Sequence, residues 1–278
     1  MSISRRRAAT GSRLFVTFLA IGPLYLHAAD AGSALTLDQK EQFLRTAKIV
    51  KTYSVPKGVA ATVRVTLSDG TITHDASVAR IDESKNVFKP DNGPVEYNFK
   101  DTYQFNVAAW KLARLLGIEN MMPPYVDRRY EGQPASFSWW VDDVAMDENE
   151  RTKKKAEATD KAAFLQEWDI VHLFDQLICN KDRNGGNVLY DRQWHVWMID
   201  HTRSFRTQRN LDNPKVLVRC DRNLLVKMKA LDEAALQKEL APHVSRDEIR
   251  GLLARRDIIV KFFEAKGDSA LFDRPARP

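Results

Sequence analysis

The sequence predicts an α+β chain of two lobes: a small β-rich N-lobe over residues 32–141 and a mainly helical C-lobe over 142–278. Three observations carry this. Alternating, β-branched runs gather in the first half, and apolar residues at helical spacing dominate the second. Between two helical stretches of the second half lies a short acidic loop, followed by two strand-like runs. A chain of 278 residues, 44% of them hydrophobic, has enough material for a sizeable core.

Residues 1–31 read as a secretory signal. Arg5, Arg6 and Arg7 precede an apolar run, Leu14 to Leu26, and Ala29 and Ala31 fit an A-x-A cleavage site. Ser4-Arg5-Arg6 also has a loose twin-arginine character. The alternative, an uncleaved membrane anchor, is disfavoured by the shortness of the run and by Gly22-Pro23 inside it. The mature chain is therefore expected to be exported, periplasmic or secreted, and no later segment is long and apolar enough to span a bilayer. Four arginines and Asp30 fall before the cut, so the net charge drops from +6 to +3. That is too mild to call for a nucleic-acid or membrane partner.

The first mature element is a helix. Thr36 and Gln39 form a capping-box pattern, and Phe43, Leu44, Ala47 and Val50 recur at helical spacing until Val55-Pro56. A hairpin follows, Ala61 to Leu67 and Thr71 to Val78, turned by Ser68-Asp69-Gly70. Asn86 to Lys89 is a short strand, and Asp91-Asn92-Gly93-Pro94 is a loop. Gln104 to Leu116 is a helix closed by Gly117. Ser136 to Val141 is a strand in which alternation sends one of Trp139 and Trp140 inward. Asp147 to Lys155 is a charge-rich solvated stretch, and Lys161 to Leu177 a long helix. Val188 to Tyr190 and His195 to Ile199 are paired strands, and Arg222 to Phe263 is helical again. Within that last stretch, Arg255-Arg256 reads as a solvated face.

The most informative segment runs from Asp175 to Phe205. Asp182 is followed five positions later by Asn187, and Asp200 closes the apolar run Val196 to Ile199. Phosphoryl transfer uses one carboxylate to orient the attacking hydroxyl, and an amide oxygen with a second carboxylate to hold Mg²⁺ against the phosphates. The D-x-x-x-x-N spacing is that of the protein-kinase catalytic loop. A carboxylate at the end of an apolar strand is costly unless it is paired, hydrogen-bonded or on a metal. No G-x-S-x-G elbow, no G-x-x-x-x-G-K-[ST] loop and no H-x-x-x-H pair occurs, so serine-hydrolase, P-loop and zinc-hydrolase readings lose their support.

Four stretches together resemble a bacterial, exported member of the atypical kinase-like superfamily. That superfamily includes type II phosphatidylinositol 4-kinases, HipA-type kinases and the secretory kinases of the Golgi. The stretches are Lys57-Gly58-Val59, then Val87 to Pro90, then Val107 to Gly117 with Pro123-Pro124, and finally Asn180 to Asn187 with Ile199 to Phe205. The resemblance implies a two-lobed protein-kinase-like fold using ATP with Mg²⁺ or Mn²⁺. It implies that Lys89 contacts the α/β-phosphates, that the loop at Gly58 covers the nucleotide, and that the strand ending near Val141 is the hinge against adenine. Asp182 would be the base, with Asn187 and Asp200 as metal ligands. The acceptor would be a hydroxyl on a protein, lipid or small molecule. A nucleotide- or protein-binding pseudokinase and an AMP-transferring enzyme are the alternatives on the same fold. One departure stands out. Where relatives carry a helix glutamate to pair with the lysine, this chain has Asn106, with Glu96 in the preceding loop as a substitute.

Other residues admit two readings. Arg183 holds the loop through a carboxylate. Arg203 pairs with a phosphate or with Asp175. His201 fixes backbone or is exposed, since Mg²⁺ prefers oxygen ligands. Cys179 and Cys220 either pair, as export would permit, or are two buried thiols.

Overall fold

The computed structural model describes residues 35–53, 62–90 and 95–275. The signal-like segment 1–31, Gly58 and the 91–94 loop lie outside the described residues.

Helix α1 (Leu37–Thr46) starts at a Thr36–Gln39 capping box and buries Phe43 and Leu44. It ends before Val50, contrary to the sequence periodicity. Residues Lys48–Tyr53 form strand β1, whose Val50 is solvent-exposed. The cause is Ala47, which leaves the helix with extended backbone and is buried, so the chain turns into the sheet there. Strands β2 (Thr62–Ser68) and β3 (Thr73–Ala79) make the expected hairpin, with Asp69 accepting from the backbone N–H groups of Thr71 and Ile72 at 2.8 Å.

Strand β4 (Asp82–Phe88) pairs with a strand that the sequence did not announce, β5 (Glu96–Thr102). Glu96 therefore lies in a strand rather than a loop. Helix α2 (Tyr103–Leu116) follows directly and ends at Gly117, whose left-handed backbone (φ 70°) suits glycine. Strands β6 (Tyr125–Tyr130) and β7 (Gln133–Trp139) complete a five-stranded antiparallel sheet of order β1-β2-β3-β7-β6, while β4 and β5 form a separate two-stranded ribbon.

The second half comprises β8 (Val144–Asp147), α3 (Glu148–Lys154), α4 (Lys161–Ile178), β9 (Val188–Asp191) and β10 (Val196–Met198). It closes with β11 (Cys220–Asp221), α5 (Arg222–Ala230), α6 (Glu233–Leu240), α7 (Arg246–Lys266) and β12 (Leu271–Phe272). The stretch expected to be helical from Arg222 is thus three helices, broken where Asp232 and Ser245 cap new starts. Strand β8 joins β9 and β10 in a three-stranded sheet, and β11 pairs with β12 in parallel.

Two hydrophobic cores result. The smaller joins α1 to the five-stranded sheet through Phe43, Leu44, Val65, Leu67, Val78, Phe137 and Trp139. The larger unites the helices of the second half with α2, whose Phe105, Trp110, Leu112 and Leu116 are all buried in it. Trp139 is the inward member of its pair, 3% exposed against 37% for Trp140. Arg255 is fully buried, not solvated. It donates from Nε to Leu177 O and from Nη1 to Arg206 O, both at 2.9 Å, and from Nη1 to Gln208 O. A guanidinium placed among backbone carbonyls with no acidic partner on the helix gives no periodicity signal. Cys179 and Cys220 are both free and buried. Among the described residues no helix is long and apolar enough to cross a membrane.

Candidate active site

A cleft of about 550 Å³ separates the five-stranded sheet from the second half. Its sheet side is lined by Thr62 and Arg64 of β2, Ser77 and Ala79 of β3, and Ser136 and Ser138 of β7. Its rim is Trp140-Val141 beyond β7. Its floor is Val144, Leu189 and Ile199, with Asn187 and Asp200 also lining it.

The acidic loop is built from α4 outward. Cys179 ends that helix in the left-handed region (φ 52°), and Asn180 Oδ1 then accepts from the Asp182 backbone N–H at 3.0 Å. Asp175, in the last turn of α4, binds Arg183 through Nε at 2.9 Å and Nη2 at 3.0 Å. This is the fork geometry that an arginine makes with a carboxylate. Arg183 Nη1 also donates to Asn187 O and Ile199 O, both at 2.8 Å. One guanidinium therefore ties the helix end, the acidic loop and the strand leading to Asp200. Asp175 is consumed by Arg183, so Arg203 pairs elsewhere, with Glu96.

These ties hold Asp182 beside Asn187 and Asp200, and of the three only Asn187 and Asp200 line the cleft. Asn187 Nδ2 donates to Asp182 O at 3.1 Å, leaving its amide oxygen as the free end, and Ile199 N donates to Asn187 O at 3.1 Å. Asp200 sits at φ 53°, a conformation that aspartate tolerates better than most residues. Its Oδ1 accepts from Thr202 Oγ1 at 3.0 Å and Thr202 N at 3.4 Å, leaving Oδ2 for a ligand. The Asp182 carboxylate accepts no hydrogen bond from the described residues.

His201 is fully buried and fixes structure. Its Nε2 lies 2.9 Å from Arg183 Nη2, and its backbone N–H donates to Asn106 Oδ1 at 2.6 Å. Burial, reinforced by the Arg183 charge, holds its imidazole well below the usual range. Asn106 therefore anchors the Asp200 loop rather than answering a lysine. Two participants escaped the sequence reading. Tyr125 Oη accepts from Asp200 N at 3.4 Å, and burial pushes its phenol far above its ordinary pKa. Asp101, at the end of β5, has a buried Oδ1 with no partner. Burial pushes its carboxyl up, against the Thr202 hydroxyl, with the Asp200 and Asp182 charges adding to the rise. Neither carried a motif. Tyr125 had only its position after Pro123-Pro124.

The structure does not bring Lys89 to this cleft. It is exposed just beyond β4, on the separate ribbon, and is not among the cleft-lining residues. Nor does Glu96 serve it, being bound to Arg203 and, at 3.1 Å, to Arg206 Nη2. Strand β3, third in the sheet, carries no lysine and turns Ser77 and Ala79 to the cleft. The cation lining the cleft among the described residues is Arg64, held by Asp75 at 2.5 Å and stacked 4.2 Å from the Trp140 ring.

Among solved structures, the chain is similar to hydra Fam20 with sugar, with a TM-score of 0.62 at 16% identity over 86% of this chain and 93% of that one. It is also similar to the Golgi casein kinase with Mn/ADP bound, with a TM-score of 0.57 at 13% identity over 86% of this chain and 78% of that one. The fold is that of the atypical kinases. No protein-family model matches the chain, and no curated protein does. Within the atypical-kinase fold, the five-stranded sheet is the N-lobe and the acidic loop with Asp200 lies on the C-lobe face of the interlobe cleft.

Proposed function

We propose that the chain is a phosphotransferase that moves the terminal phosphoryl group of ATP to a hydroxyl, with Mg²⁺ or Mn²⁺. The observation that carries this is that Asn187 and Asp200 line one interlobe cleft, with Asp182 held next to them by the bond from Asn187 Nδ2 to its carbonyl and by the Arg183 ties. The donor set suits a hard cation. One carboxylate and one amide oxygen leave positions for water and phosphate oxygens, as Mg²⁺ requires. Among the described residues no cluster of three His, Cys, Asp or Glu side chains forms a cage that would hold a metal without the nucleotide. When bound, the metal would neutralise charge on the transferred phosphoryl group.

In this reading Asp200 and Asn187 hold the metal–nucleotide complex. Asp182, whose carboxylate accepts from no donor among the described residues, orients the acceptor hydroxyl and takes its proton. Val141 borders the base. Gly58, outside the described residues, belongs to the loop proposed to cover the phosphates. Export, proposed on the 1–31 segment, sets the compartment in which nucleotide must be available.

The test is a thermal-shift titration of residues 32–278 with ATP and Mg²⁺ or Mn²⁺. A metal-dependent rise that Asp200→Ala abolishes, together with phosphoryl transfer that Asp182→Ala abolishes while keeping the shift, is the expected result. Full turnover by Asp182→Ala would end the base assignment. A second reading, a nucleotide- or protein-binding pseudokinase, is favoured by one observation: β3 offers Ser77 and Ala79 to the cleft and no lysine. A retained Mg·ATP shift with no product from any acceptor would select it. A nucleotidyl rather than phosphoryl mass adduct would select AMP transfer.

A further inference from the structure

A second cavity, of about 300 Å³, lies between the β4–β5 ribbon and the N-terminus of α7. It is lined by Lys85, Lys100, Ser204, Arg206 and Ser245, with Asp247 and Glu248. Arg206 is 8% exposed and lies 5.3 Å over the Phe99 ring; its Nη2 donates to Glu96, and its Nε and Nη1 have no hydrogen-bond partner among the described residues. Ser204 is fully buried, and its hydroxyl is also without a partner among the described residues. Three donors from two buried side chains thus await an acceptor beside a cavity, where an unpaired polar group is expensive.

The charges around it are paired, Lys85 with Glu83 at 2.8 Å, Lys100 with Glu248 and Arg206 through Nη2 with Glu96, so the capacity to take an anion lies in the Arg206 Nε and Nη1 and the Ser204 hydroxyl. Glu248 binds Lys100 at 2.5 Å and the Ser245 N–H and hydroxyl at 2.7 and 2.8 Å, while Asp247 binds Arg250 at 3.3 Å. The start of a 21-residue helix adds its positive end. A guanidinium edge presenting Nε and Nη1 is the fork that grips an oxyanion by two bonds. The cavity also adjoins the acidic loop. Ser204 and Arg206 follow Asp200 along the chain, and Lys181 N, next to Asp182, donates to Arg203 O at 3.1 Å.

We propose that this cavity is an oxyanion subsite for the acceptor, gripping a carboxylate, sulfate or phosphate group of a molecule whose hydroxyl is offered to Asp182. The assignment of the occupant to the acceptor rests on the phosphotransferase reading. The subsite itself does not.

The experiment is a thermal-shift and calorimetric titration of residues 32–278, without nucleotide, with inorganic phosphate, sulfate and acetate. It is repeated on Arg206→Gln and Lys85→Glu. At least one anion is expected to raise the melting temperature and to bind at least tenfold more weakly to Arg206→Gln. Lys85→Glu, at an exposed position of the ribbon, is expected to weaken it several-fold and decides the matter if Arg206→Gln does not fold. The three anions separate the phosphate, sulfate and carboxylate classes. No response to any of them, or a response unchanged in both variants, overturns the subsite. Anion binding that depends on Arg206, with no Mg·ATP shift, would keep the subsite and overturn the phosphotransferase reading instead.

Discussion

Replacing Arg255 by methionine should destabilise the chain by about 3 kcal/mol. The side chain reaches three carbonyls, Leu177 O and Arg206 O at 2.9 Å and Gln208 O. Leaving each buried carbonyl without a donor costs about 1–3 kcal/mol, about 6 kcal/mol for the three at mid-range. Against this, methionine relieves the burial of a guanidinium that has no carboxylate bonded to it, which returns a few kcal/mol. The orphaned carbonyls win because they belong to segments that other contacts hold in place, such as Phe205 N on Ile178 O. At about 3 °C per kcal/mol for a chain of this length, the melting temperature should fall by about 9 °C. Circular dichroism during thermal unfolding measures it. An unchanged or raised melting temperature would refute the reasoning and mean that the buried charge, not its hydrogen bonds, dominates. Arg255→Lys should recover only part of the loss, since one ammonium cannot reach three carbonyls with the geometry of a planar fork.

Other outcomes follow from the same contacts. Gly251→Ala should destabilise by about 1–3 kcal/mol despite alanine's helix preference, because its Cβ would meet Arg206 O at 2.9 Å and the Thr207 carbonyl at 3.0 Å; urea unfolding would reveal this. Lys89→Ala should leave a Mg·ATP-induced thermal shift intact, since Lys89 is exposed outside the cleft, whereas Asp200→Ala should abolish it. Stability of the metal-free protein should fall on acidification. Burial lowers the pKa of His172, His201 and His243, so below about pH 6.5 the unfolded chain takes up protons that the folded one refuses, and each such histidine costs up to about 1.4 kcal/mol per pH unit. Urea midpoints at pH 7 and pH 5 would test this, and equal midpoints would contradict it.

The local geometry of the acidic loop was legible in the sequence because its spacing is rigid. Asp182 to Asn187 is one tight turn, and Asp200 follows two residues after a strand paired with the one after that turn. The hairpin and helix caps were legible because Thr36, Gly117 and the Asp69 turn act within a few residues. What escaped depends on partners far along the chain. Strand β5 reads as polar and loop-like, and it is a strand because β4 pairs with it. Asn106 resembles a degenerate acid until His201 N, 95 residues on, is seen to bind it. Arg255 resembles solvated surface until carbonyls 47 to 78 residues away surround it. Lys89 carried its role on a four-residue likeness, and the topology gave that strand to a ribbon outside the five-stranded sheet.

The packing of α2 bears on how such a cleft opens and closes. Many switches work by swinging one helix between two seats. Here Phe105, Trp110, Leu112 and Leu116 are all sunk in the larger core, with Asn106 clasping the Asp200 loop. Withdrawing that face would expose side chains worth about 1.5–3 kcal/mol each, a barrier no modest effector could offset. The helix is better viewed as a fixed strut. The sheet with α1 keeps its own small core, yet Trp110 Nε1 and Arg114 Nη1 of the strut both donate to Glu41 of α1 at 2.8 Å, so the strut also braces the far side of the cleft.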